Sequence, residues 1–93
     1  GTSVITVTEP GNGRSTGDTV RFRSTENFDG FTSSVLENSS GYSITIVTES
    51  DGSASTSRYT FDVSSSGSSE TASQGNVEGG GGTASAGPVT VSA

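Results

Sequence analysis

The sequence predicts an all-β chain, a small partly open β-barrel or sandwich followed by an extended Gly/Ser-rich C-terminal arm. Three observations carry this. Short runs of β-branched and aromatic residues alternate with polar ones; no window places apolar residues at i, i+3, i+4 and i+7; and Gly, Asn, Asp and Ser clusters separate the runs. A hydrophobic fraction of 26% over 93 residues leaves room for one small core.

Residues 3–8 form the first run, Ser-Val-Ile-Thr-Val-Thr, with Ile5 and Val7 on one face. Glu9-Pro10-Gly11-Asn12-Gly13 then breaks it. Gly17-Asp18 opens a second run in which Val20 and Phe22 alternate with Arg21 and Arg23, giving one core face and one wet face. Residues 24–40 have no clean period, yet Phe28, Phe31, Val35 and Leu36 carry too much apolar surface for a free loop, so they read as a lid across one end. The strongest strand is residues 41–48, with Tyr42, Ile44 and Ile46 inward. Asp51-Gly52 is a turn signal, and residues 58–63 return with Tyr59, Phe61 and Val63 inward, completing a hairpin.

Residues 1–63 thus read as a β module and residues 64–93 as an arm. From 64 to 87 Ser and Gly dominate, with the run Gly79 to Gly82, and Val77 is the one sizeable apolar side chain. Such a stretch costs ordering entropy and buries little, so it is expected to depend on neighbouring chains. Pro88-Val89-Thr90-Val91 then reads as a short strand that crosses to a neighbour's sheet edge.

The inventory narrows the chemistry. Four arginines (Arg14, Arg21, Arg23, Arg58) against ten acids give a net charge of -6, which argues against nucleic acid or an anionic membrane as partner. The chain has no Cys, His, Lys, Met or Trp. A Ser or Thr nucleophile would find no imidazole or amine as base, so a non-enzymatic role without cofactor is expected. No apolar stretch is long enough for a membrane span, and no leader pattern is visible. Ser and Thr supply 34 of the 93 residues, which suits many side-chain to backbone bonds in loops and an extracellular or virion surface.

Each candidate site has a plainer structural reading. Glu26, Asn27 and Asp29, or Glu49 and Asp51, are the densest acidic groups, but neither follows a calcium-loop spacing, and solvated loop charge is the simpler account. A glycosidase would need two carboxylates about 5 to 10 Å apart in a cleft. Gly11-Asn12-Gly13 and the four-glycine run lack the helix start and Lys of a phosphate loop, so both read as backbone punctuation. Asn38-Ser39-Ser40 fits the N-glycosylation pattern, which chance explains in so Ser-rich a chain. Tyr42 and Tyr59 read as core, whereas Phe28 and Phe31 remain open as an aromatic platform for a sugar face.

The run Val4-Ile5-Thr6-Val7-Thr8, the turn motif Asn12, Gly13, Gly17, Asp18 leading to Val20, the segment Gly41-Tyr42-Ser43-Ile44 and the strand Arg58-Tyr59-Thr60-Phe61 together resemble a small β module recurrent in tailed-bacteriophage structural proteins. That module is similar to the barrel inserted in ubiquitin-activating enzymes. The likeness covers residues 3–63; Asn12 stands where the pattern has His, and the spacer before Gly41 is longer. It implies a partly open six-stranded barrel and offers no catalytic residue. The expectation is therefore a virion structural protein, in the tail or as a capsid decoration, whose partners are copies of itself and other virion proteins. The alternative is a surface or fibre module that meets host glycan through Phe28 and Phe31.

Overall fold

The computed structural model describes residues 1–75 and 77–93. The alternation in the first run gives β1 (Val4–Thr8), with Ile5 and Val7 fully buried. The later elements are β2 (Thr19–Val20), β3 (Phe22–Arg23), a single helical turn α1 (Ser33–Leu36), β4 (Tyr42–Ser43), β5 (Thr45–Thr48), β6 (Ala54–Asp62), a 3-10 turn (Val63–Ser66), β7 (Glu78–Thr83) and β8 (Ala86–Ser92). Six strands form one antiparallel sheet in the order β3-β7-β8-β1-β6-β5, and β2 pairs with β4 in a second ladder. The sheet curls into a small, partly open barrel. Its two edge strands run on through single-residue breaks at Arg21 and Ile44 into β2 and β4, so the small ladder links the two edges.

The run 41–48 is accordingly two strands rather than one. Ile44 sits at the bend, where its N–H and C=O bond Asp18 and Gly17 instead of a ladder partner. Tyr42 and Ile44 are buried and Ile46 only half-buried, because after the bend β5 lies against β6 with a register shift between Ile46 and Thr48. The hairpin of β5 and β6 is present, closed by Gly52 at φ 87° and by Asp51, whose carboxylate accepts from the Ser53 N–H at 2.9 Å.

The arm is where expectation and structure part. β8 lies in the middle of the sheet, paired with β1 (Val7 opposite Val91) and with β7 (Gly79 opposite Val91, Gly81 opposite Val89). Residues 64–93 are thus not a separate unit, and position 63 is not a domain boundary. Val89 and Val91 fill the chain's own core while Thr90 faces out. The radius of gyration, 12.2 Å, agrees with the roughly 12 Å expected of a folded chain this long. Pro88 lies opposite Gly82 of β7 but beyond the end of the ladder to β1, which reaches only Thr90, so on that side there is no ladder bond to lose.

Two devices order this polar segment. The first is the absence of side chains on β7: a Cβ on Gly79 would lie 2.8 Å from Phe28 Cγ, and one on Gly81 would lie 2.8 Å from Thr25 Cγ2. The glycine run lets residues 25–28 lie directly on the strand. The second is carboxylates that bind backbone. Asp29 accepts from the N–H groups of Ser73 (3.1 Å), Gln74 (2.6 Å) and Gly75 (2.9 Å), and Glu70 accepts from Thr32 N–H and hydroxyl, both at 2.8 Å. Burial pushes the Asp29 carboxyl up, but the bonds from Gln74, Gly75 and Ser73 outweigh it and hold it below its ordinary 3.8. Backbone donors that no ladder serves are satisfied in this way.

The core joins both parts. Phe61 stands between Phe22 and Tyr42, with ring centroids 4.9 and 4.6 Å away, and Val63, Leu36 and Ala72 close one end. Tyr42 donates to the Val35 carbonyl at 2.6 Å, which fixes the short helical turn against β4.

Candidate functional site

Along β1 the inward positions are Ile5, Val7 and, by the same two-residue period, Glu9 just past the strand end. Glu9 is a carboxylate at a core-facing position, 8% exposed. Its Oε1 accepts from the Tyr59 hydroxyl at 2.6 Å and from Arg14 Nε at 3.2 Å. Arg14 also donates through Nη2 to Ser85 Oγ at 2.9 Å and Thr83 Oγ1 at 3.3 Å, and its guanidinium carbon lies 5.9 Å from the Tyr59 ring centroid. Burial, and then the hydrogen bond to Glu9, push the Tyr59 phenol well above its usual 10.0, so it acts as a fixed donor. Taking an ion pair out of water offsets much of its attraction, so this cluster contributes more to position than to stability.

Glu9 and Arg14 line an open groove of about 420 Å³ between the 9–14 loop and the 84–88 turn, with Pro10, Gly11 and Asn12 on one wall and Ser85, Gly87 and Pro88 on the other. Asn12 fixes the first wall: its amide donates to the Glu9 carbonyl at 3.0 Å and its Oδ1 accepts from Arg14 N–H at 2.8 Å. A hydrolytic carboxylate pair would need a second acid, and Glu9 is the one acid among the described residues lining the groove.

The other sequence candidates lie elsewhere. Gly17, at φ 95°, and Asp18, whose Oδ2 accepts from Ser15 N–H at 2.9 Å, form the turn that satisfies the Ile44 backbone, and Thr16 Oγ1 takes the Ile46 N–H at 3.0 Å. Val20 then enters the core at 2% exposure. Phe28 and Phe31 pack on each other with centroids 5.4 Å apart and are 6% and 1% exposed. As a lid they are well seated, but neither ring keeps a free face for a sugar, which corrects the platform reading. Asn27 accepts from Ser33 N–H and Asp29 is taken up by residues 73–75, while Glu49 pairs with Arg58 at 2.7 Å. Among the described residues no three acids are grouped to hold a metal ion. Asn38 accepts from Ser40 N–H at 2.8 Å as a turn residue.

Glu9, Arg14, Tyr59 and Ser85 as a cluster escape a reading of the sequence, since they lie up to 76 positions apart. One signal was present in the letters: Glu9 continues the inward phase of Ile5 and Val7, and a charge in that phase needs a partner. Among the described residues no helix is long and apolar enough to cross a membrane. Comparison with protein-family models, curated proteins and solved structures finds no match to this chain.

Proposed function

We propose that the chain is a non-enzymatic structural module of a tailed-bacteriophage virion, a tail component or capsid decoration that assembles by symmetric repetition. The observation that carries the reading is that a polar, acidic chain folds into a small, partly open β-barrel with its Gly/Ser-rich C-terminal hairpin built into the sheet. Such a body suits repetition side by side. The resemblance of residues 3–63 to a phage β module supports the same reading. Exchange of a single terminal strand has no place in it, because β8 has β7 on one side and β1 on the other; exchange would have to move the whole β7–β8 hairpin.

The test is to purify particles from the native host by density gradient and label them with antibody raised against the folded chain. Regularly spaced label on tails or capsids is the expected result. Chain found only in fractions without particles overturns the proposal.

A further inference from the structure

The geometry points to the groove between the 9–14 loop and the 84–88 turn as a binding site for a neutral saccharide unit, held through adjacent hydroxyls. The carboxylate of Glu9 is the central argument. Its side chain is 10% exposed, and both of its hydrogen bonds fall on Oε1. Among the described residues Oε2 receives no bond, and since no fully buried side-chain oxygen lacks a partner, Oε2 keeps some exposed surface, on a residue that lines the groove. It is an acceptor already locked in place, with little entropy left to lose on binding.

Arg14 sets the class of ligand. Its charge balances that of Glu9, so a free cation meets the guanidinium and a free anion meets the carboxylate. A ligand with a donor and an acceptor side by side and no net charge fits both. A vicinal diol has that pattern: one hydroxyl donates to Glu9 Oε2 and its neighbour accepts from the exposed edge of the Arg14 guanidinium, with the Ser85 hydroxyl as a third contact. The rings of Pro10 and Pro88 supply C–H walls for the apolar face of a sugar ring, and about 420 Å³ falls within the usual range of small-molecule sites. A peptide also offers donor and acceptor, and Ala86–Pro88 of β8 is not paired to β1 at the groove, but Pro88 has no N–H with which to hold an added strand, and triglycine in the test separates the two. This site is independent of the assembly role, and either can fail without the other.

The test is an amide NMR titration of the whole chain with the methyl glycosides of glucose, galactose and mannose in turn, and with calcium chloride, sodium acetate and triglycine. Saturable shifts at amides of residues 9, 11–14 and 84–87 with at least one glycoside are expected. Gly87→Val places its side chain in the groove, and a Cβ there meets nothing within 4 Å, so the variant should melt like the parent while binding falls about tenfold or more. Glu9→Gln keeps an acceptor for Tyr59 but replaces Oε2 by a donor, and should lose binding to a similar degree. No saturable shift with any glycoside overturns the proposal, as do shifts with calcium, acetate or triglycine alone, or unaltered glycoside binding by Gly87→Val.

Discussion

β6 fills the barrel with Tyr59 and Phe61, whereas β7, two strands beyond β1 in the same sheet, brings four consecutive glycines and lets Phe28 and Thr25 occupy the space its side chains would have taken. One strand is held by what it buries and the other by what it leaves out. The difference teaches that a glycine run flanked by alternating valines can be a closely approached strand rather than a linker. Glycine in a strand has an entropic cost, and here the contact with residues 25–28 and the ladder to β8 offset it.

Deleting residues 88–93 tests the comparison most severely. Val89 and Val91 each contribute about 1.5–3 kcal/mol by burial, and the ladder to β1 goes with them, against a total of about 5–15 kcal/mol for a small domain. The truncated chain should show no cooperative melting transition by circular dichroism. A transition within a few degrees of the parent would restore the idea of a dispensable arm.

Next in size is Gly79→Val. Its Cβ would meet Phe28 at 2.8–3.0 Å, and Phe28 is packed on Phe31, so overpacking should cost about 1–3 kcal/mol in urea unfolding. Gly87→Val, the same change on the partner strand with open space around it, should stay within about 0.5 kcal/mol. Equal effects at the two positions would show that glycine at Gly79 is incidental.

The smallest effect sharpens how residues 73–75 are held. Because the Asp29 carboxyl titrates below its unfolded value of 3.8, its contribution is complete above that value and is lost as pH falls through the lower folded value. Asp29→Asn at neutral pH should speed exchange of the Ser73, Gln74 and Gly75 amides and leave those of β6 unchanged. Parent chain taken to a pH below that lower folded value should show the same local change, and protection unaltered in both would remove the carboxylate from the account.

Side-chain periodicity made the first half of the fold legible: Ile5 and Val7, Val20 and Phe22, and Tyr59 and Phe61 all point as their alternation requires. The bend at Ile44 was not legible, since an unbroken β-branched run gives no local sign that its backbone bonds change partner. The C-terminal hairpin was hidden for another reason. Its order comes from Asp29 and Glu70, and from the flat face of β7, none of which shows in the hydropathy of residues 64–87. At the groove, Asn12, Gly13 and Pro88 were legible as turn and strand punctuation, but Glu9 needed its phase counted one step past the end of β1.

The turn at 16–18 lies across the bend between β4 and β5, and residues 25–28 lie on β7, so part of the backbone that this open sheet would otherwise present is occupied from within. For a chain with only four positive charges and many β-branched residues, that covering guards against aggregation. At these two places a neighbouring copy finds less free backbone to pair with, which lowers the tendency to cross-β growth.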